Sequence, residues 1–392
     1  MTKHQSRIEQ LIAKLCPNGV ALKSIGEICI INRGRVMSKD YLKDNAGEYP
    51  VYSSQTANDG MFGRIKTYEY DGEYITWTTD GAYAGSIFYR TGKFSITNVC
   101  GLLQAKSADV NMKFLSFILA TVSKKYVSSG MGNPKIMSNV MAKIKIPLPP
   151  LTVQEEIVKI LNSFTELEAE LEAELEARNK QYEHYRDELL NIKDVEYKSL
   201  REVGILIRGN GLQKKDFVEN GIGCIHYGQI YTYYGTFADR TKSFVSPELA
   251  KKLKKAQKGD VLIAGVSENI EDVCKPLGWL GDEICISGDM FAFRHNQNTK
   301  FITYLLQTTN FHKYKERYAQ GAKVTRVKTE KILDYKIPVP SLKEQERIVL
   351  ILDKFDALTN DISVGLPAEL KARRSQYEYY RGKLLTFPEY VS

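Results

Sequence analysis

A chain that repeats itself at long range has few ways to fold, and this one repeats at about half its length. The segment KIPLPPLTVQEEIVKILNSF (residues 145–164) returns as KIPVPSLKEQERIVLILDKF (residues 336–355), so Ile146, Pro147, Gln154 and Phe164 reappear 191 residues on as Ile337, Pro338, Gln345 and Phe355. ARNKQYEHYRDELL, from Ala177, returns from Ala372 as ARRSQYEYYRGKLL, now 195 residues on, and the four extra residues amount to about one helical turn. Weaker echoes lie between. Leu22-Lys23-Ser24-Ile25 parallels Tyr197-Lys198-Ser199-Leu200, Arg33-Gly34 parallels Arg208-Gly209, Gln55 falls opposite Gln229, and Gly72-Glu73-Tyr74-Ile75 parallels Gly259-Asp260-Val261-Leu262. A period this long excludes short solenoid repeats and calls for two whole domains in tandem. Each half is a variable globular part followed by a near-constant helical part. Constant parts suit a constant partner, variable parts a variable ligand.

Composition adds bounds. Lys plus Arg number 55 against 47 Asp plus Glu, a net charge of +8, compatible with a polyanionic partner. The acidic run LEAELEAELEA concentrates negative charge in one helix and leaves the globular parts more basic than the average. Six cysteines form no CxxC pair and the five histidines sit near none of them at ligand spacing, which argues against zinc or a disulfide framework and for the cytoplasm. No apolar stretch reaches the roughly 18 to 20 residues of a membrane span, and MTKHQSRIEQLIAKL starts as an amphipathic helix rather than a signal peptide.

In each globular part, β-rich runs alternate with glycine turns: EICIIN, YPVYSS, GEYITWTT and SIFYR in the first, VGILIRG, GIGCIHYG, GDVLIAG and EICIS in the second. Amphipathic helices are expected near residues 113–126 and 299–318, then a strand ending in I-P-x-P, where proline enforces extended backbone. The fold class is α/β or mixed α+β. Thr152 with Glu155 and Ser341 with Glu344 fit capping boxes that would start a helix at once. Ile157, Leu161, Phe164, Tyr182 and Tyr185 recur at three- and four-residue steps along a helix of 39 residues through Leu190, about 58 Å long. Ile348, Leu352, Phe355, Tyr377 and Tyr380 form the matching seam of the second copy, where Gly365 should interrupt the helix and Pro367 restart it. An antiparallel, coiled-coil-like pairing of the two helices would give the chain a pseudo-twofold axis and make the pair a spacer. The competing reading is two helices that each pack on their own domain.

Catalytic motifs are missing. There is no G-x-x-x-x-G-K-[ST], G-x-S-x-G or H-E-x-x-H, and no adenine-methyltransferase tetrad of Asn or Asp, two prolines and an aromatic. Without them the chain reads as a binding protein.

The paired I-P-x-P blocks, each leading into a long helix that ends in QYEHYRDELL or QYEYYRGKLL, resemble the conserved regions of the specificity subunit of type I restriction-modification enzymes. FDALTNDISVGLPAEL, residues 355–370, is similar to that family's distal conserved region. The resemblance implies a first target-recognition domain over residues 1–150, a helical spacer over 151–192, a second recognition domain over 193–340 and a second helical region over 341–392. It implies that each domain reads one half of a split double-stranded DNA site. Two methyltransferase subunits, carrying S-adenosylmethionine, would dock beside the helices and methylate adenine N6. Restriction-translocase subunits using ATP and Mg2+ would join them, and this chain would hold no cofactor and catalyse nothing itself. A standalone coiled-coil scaffold or RNA-binding adaptor with two modules is the alternative.

Gln pairs bidentately with adenine in the major groove, and Arg or Lys with guanine. Gln55 and Gln229, in equivalent polar segments after a strand, are therefore base-reading candidates, against the competing reading of ordinary solvated glutamines. Trp77, Thr78, Thr79 and Asp80, with Ser267 and Asn269, follow equivalent strands and could face a groove. Arg33, Arg35, Arg208, Lys214 and Lys215 lie just after the first strand of each half and could grip phosphates. Lys323 and Arg326, opposite Gly132 and Lys135, complete a basic edge.

Overall fold

The computed structural model describes residues 6–128, 132–321, 323–359 and 365–390, so residues 360–364 of the distal conserved phrase lie outside the described residues. The chain forms two compact units, one of Met1–Glu168 with Arg373–Ser392, the other of Ala169–Ala372. Each holds one globular part and two helical segments. Among the described residues no helix is long and apolar enough to cross a membrane.

The duplicated sequence builds the same local structure twice. Strand Leu22–Ser24 pairs antiparallel with Lys145–Pro147, Lys23 opposite Ile146; Tyr197–Ser199 pairs with Lys336–Pro338, Lys198 opposite Ile337. The prolines that follow cannot donate to a ladder, so both strands stop there. Ser24 then caps a short helix, Ile25–Ile28, its N–H donating to Glu27 Oε2 at 2.6 Å, and Ser199 caps Leu200–Val203 with Glu202 at 2.7 Å. These S-x-x-E boxes satisfy the free amides of the first turn. They also delay the strand expected over EICIIN, which begins only at Cys29.

The first unit is built on a six-stranded mixed sheet, in the order Cys29–Arg33, Cys100–Ala105, Tyr70–Thr78, Ile87–Ile96, Ala46–Tyr52, Met61–Ile65. Only the contact of Ala46–Tyr52 with Ile87–Ile96 is parallel. The second unit has a five-stranded sheet, Gly204–Arg208, Met290–His295, Val261–Ala264, Pro276–Trp279, Phe237–Ala238, and a four-stranded one through Ile222–Ile225 and Ile284–Ile286. The helix Met112–Val122 covers the first sheet; Thr299–Leu305 and Thr309–Tyr318 serve the second unit. The expected mixed α/β class holds in both.

Gln154 and Gln345, the same residue in the two copies, do matching work, though one donor of Gln345 goes to the Gln297 side chain where Gln154 uses the Asp109 carbonyl. Each is fully buried. Gln154 accepts from the Asn111 N–H at 2.9 Å and donates to the Asp109 and Pro149 carbonyls at 2.8 Å; Gln345 accepts from the Asn298 N–H at 2.9 Å and donates to Pro340 at 2.9 Å. Asn111 and Asn298 cap the preceding helices, so one amide ties two helix starts together.

The long helix runs Leu151–Leu190. Thr152 lies inside it, and the Val153 and Gln154 amides bond the Pro150 carbonyl, so the expected capping box at Thr152 is not formed. In the second copy Ser341 does accept from the Glu344 N–H at 3.3 Å, but the Glu344 carboxylate turns to Arg347 instead. The second helix is interrupted as expected: Leu342–Thr359 ends, Gly365 precedes Leu366–Leu384, and Pro367 sits in its first turn.

The seam does two jobs. Ile157 and Leu161 are buried in the first unit's core, Ile348 and Leu352 in the second's, beside the domain's own strands and helices. Beyond them aromatic pairs join neighbouring helices. In the first unit Phe164 stacks on Tyr380 at 5.5 Å and 25°, with Tyr377 at 6.3 Å and Glu168 bridging to Arg374 at 2.6 Å, so the pairing is antiparallel. In the second, Tyr185 stacks on Phe355 at 5.6 Å and 25°, the same pair with the copies exchanged, and Tyr182 is buried beside it.

Candidate nucleic-acid interface

Arg33 and Arg208 end equivalent first strands. The glycine after each is forced by a close approach: a Cβ on Gly34 would lie 2.0 Å from the Ile96 carbonyl oxygen, and one on Gly209 2.1 Å from that of Ser287. The same crossing delivers a carbonyl to each arginine. Arg33 Nη2 donates to the Asn98 carbonyl at 2.7 Å and to Thr79 Oγ1 at 3.0 Å; Arg208 Nε donates to the Gly288 carbonyl at 3.2 Å. Arg33 Nη1 donates as well to the Met137 sulfur at 3.7 Å, so the half-buried Arg33 is held through both terminal nitrogens, whereas Arg208 is exposed.

A second strand-like contact lies beside each arginine. In the first unit Asp80 bridges to Lys135 and the Ile136 N–H donates to the Thr79 carbonyl at 2.8 Å. In the second, Val266–Ser267 pairs with Thr325–Arg326. Lys135, Lys323 and Arg326 are all exposed. Arg208, Asp289, Gln320, Arg326 and Lys328 line a groove of about 400 Å³. A larger cleft of about 680 Å³ in the same unit mixes Arg186, Lys275 and Lys315 with Glu183, Glu271 and Asp272, and so has no single sign of charge. Near the groove, His226 is held neutral at ordinary pH by burial, reinforced by Lys214.

Several expected readers are placed elsewhere. Trp77 is buried, and its indole N–H donates to the Ile136 carbonyl at 3.0 Å, so it cannot face a groove; Thr78 and Thr79 are buried beside it. Both faces of that strand end are covered. Ser267 is buried, accepting from the Asn269 N–H, and exposed Asn269 spends its amide on Asp272 at 2.9 Å. Gln229 lies on the helix Tyr227–Thr232, accepting from the His226 N–H at 2.9 Å and donating to Ser243 Oγ at 2.7 Å, which ties up both ends of its amide. Gln55 donates to the Met61 carbonyl across its own loop. Arg35 pairs with Glu69 at 2.6 Å and with the Tyr41 hydroxyl. Lys214 and Lys215 are exposed on the turn Lys214–Asp216. Ile157, Leu161, Ile348 and Leu352, the start of the seam on the helices expected to space the domains and dock a methyltransferase, have their side chains buried in their own domains.

The edge contains residues that spacing did not reveal. Lys328 lines the groove, and Tyr83, 60% exposed, stands on the turn beside the Asp80–Lys135 bridge. Its one signal was an aromatic flanked by glycines in GAYAG.

Two duplicated α/β units, each with an arginine-anchored basic edge, define a bivalent binding protein. The model of the type I restriction modification DNA specificity domain matches residues 17–177 and 192–372, and the chain belongs to that family, with two copies of its recognition domain. The chain is 34% identical over 370 residues to a Mycoplasma pneumoniae protein named "Putative type I specificity subunit", covering 93% of this chain and 97% of that one. It is 47% identical over 171 residues to the specificity subunit of the type I restriction enzyme MpnII of the same organism, over 43% of this chain and 52% of that one. Its fold is similar to the S subunit of a type I restriction-modification system from M. genitalium (TM-score 0.53, 16% identity, 93% and 96% covered). It is also similar to a chain from a structure of a type I R-M system (TM-score 0.61, 16% identity, 94% and 97% covered).

Proposed function

We propose that each recognition domain reads one half of a split double-stranded DNA site and that the chain delivers this readout to partner subunits. The carrying observation is that one constellation is built twice: an arginine held by a loop carbonyl, beside a bridged segment bearing Lys135 in one unit and Arg326 in the other. Phosphate contacts fix register, and base-edge contacts carry sequence. The division into recognition domains over residues 1–150 and 193–340 and helical regions over 151–192 and 341–392 belongs to the same proposal. Two methyltransferase subunits with S-adenosylmethionine would methylate adenine, and restriction-translocase subunits would cleave with ATP and Mg2+, all in the cytoplasm. The chain supplies recognition and no catalysis. Nothing in the comparisons supports the scaffold or RNA-adaptor reading.

The test is an exchange of residues 19–143 for the equivalent part of a relative, with methylated sites mapped in cells that also express the partner methyltransferase. One half of the target should change and the other stay. A change in both halves, or in neither, would overturn the two-reader assignment.

A further inference from the structure

The loop between strands Ala46–Tyr52 and Met61–Ile65 holds its tip in a conformation that local sequence does not favour. Asn58 (φ 51°, ψ 44°) and Asp59 (φ 53°, ψ 32°) are both left-handed. Asparagine and aspartate tolerate that region best among L residues, yet two in succession need support from outside the loop. Arg90 provides it. Its side chain is 3% exposed, while that of its partner Asp59 is 73% exposed. The guanidinium donates to the Asp59 carboxylate, to the Asp59 carbonyl at 2.6 Å and to Thr76 Oγ1 at 3.2 Å. It also lies 3.6 Å from the Tyr52 ring centroid and 4.6 Å from that of Phe88. A buried cation therefore reaches up from the sheet and fixes the loop from inside.

The rest of the loop is tied as well. Gln55 is bound across the neck to Met61. Ser53 Oγ accepts from Thr97 Oγ1 at 2.9 Å, one residue from the Asn98 carbonyl that Arg33 grips, so the loop belongs to the same polar edge. Asn58 alone offers a side-chain amide at the exposed tip, with no partner among the described residues. A rigid loop presenting a free amide has the chemistry for an adenine edge, which takes one hydrogen bond and gives another.

We propose that Asn58 is a specificity-determining residue that reads an adenine in the half-site of the first domain, and that Arg90 is the positioning residue that holds it there. The proposal rests on the DNA-reading function above. In the second unit the segment around Gln229 is the helix Tyr227–Thr232 rather than such a loop, consistent with two domains that read different sequences.

Methylated sites would be mapped in cells expressing the full chain with its methyltransferase. Asn58→Gly keeps the left-handed backbone open and removes the amide. One position in one half of the motif should become degenerate, with discrimination lower by about tenfold, about 1.4 kcal/mol, and the other half unchanged. Arg90→Lys keeps the charge but not the fork, and should loosen the same position while the thermal midpoint of the purified chain reports its folding. An unchanged motif for Asn58→Gly overturns the proposal. So does Arg90→Lys that lowers methylation at all sites without altering base preference, the result of a merely structural role. If the wild-type chain yields no two-part motif, the DNA-reading function itself falls, an outcome separate from a two-part motif that ignores Asn58.

Discussion

Arg33 and Arg208 show how little of an arginine's function lies in its charge alone. Each is anchored to a backbone carbonyl, and Arg33 is held further by Thr79 and by the Met137 sulfur. Replacing either by alanine should weaken binding to all DNA sequences alike and reduce the slope of log affinity against log salt by about 1, measurable by titrating labelled duplex at several ionic strengths. A change in base preference instead would make the arginine a base reader. His295 carries a different prediction. Half-buried at the end of strand Met290–His295, it accepts from the Gln297 N–H at 3.2 Å, and desolvation of the ring pushes its pKa down to about 4. Because the folded value lies below the ordinary 6.5, the unfolded chain takes up the proton first. Stability is therefore full above about pH 6.5 and declines as pH falls toward 4, by at most about 3 kcal/mol. Unfolding midpoints followed between pH 7.5 and 4.5 should show this slope flattened in His295→Phe.

At the scale of elements, Gln154 and Gln345 explain why the repeat is strongest where it is. Their amides satisfy buried backbone groups of a neighbouring helix cap, and alanine would leave those groups without partners in a dry site. Gln154→Ala or Gln345→Ala should each cost about 1 to 3 kcal/mol, read as a lower denaturant midpoint with unchanged slope. The duplicated blocks, the strand runs and the helix break at Gly365 were all legible in sequence, because period and proline act locally. The pairing of Leu22–Ser24 with Lys145–Pro147 was not, since it joins segments far apart in the chain; its one trace was the faint echo of Leu22-Lys23-Ser24 in Tyr197-Lys198-Ser199. The basic edge was legible in part. Arg33, Arg208, Lys135 and Arg326 were marked by equivalence, but Trp77 and Thr78 were misplaced because residues 75–79 are all buried, and a strand covered on both faces loses the alternation that tells inside from outside. The seam was misassigned for a related reason: one apolar stripe can bury itself on a domain at one end and on a helix at the other.

At the scale of the whole molecule, sequence order and structural membership part company. Residues 373–392 follow the second globular part in the chain but belong to the first unit. Leu384 and Leu385 are buried in the core that includes Ile25, Ile146 and Ile157. The Val20 N–H donates to the Pro388 carbonyl at 3.0 Å, and Lys383 lies 3.6 Å from the Glu9 carboxylate. Each buried leucine contributes about 1.5 to 3 kcal/mol, so the pair is worth about 3 to 6, a large part of the 5 to 15 kcal/mol that holds a typical domain folded. The exposed pair at Glu9 adds little beside that. A chain ending at Ala372 should therefore lose hydrogen-exchange protection across the first unit, beginning at Val20 and the strand Lys145–Pro147. The strands Val261–Ala264 and Met290–His295 should keep theirs, because no residue of the tail belongs to their unit. Equal loss in both units, or none in the first, would show that the tail is not part of the first unit's core. The exchange of residues 19–143 leaves Glu9, Phe164 and Glu168 in place but replaces Val20 and Ile25 of the core that Leu384 and Leu385 enter, so the native tail should close a foreign domain that brings apolar residues to those two positions.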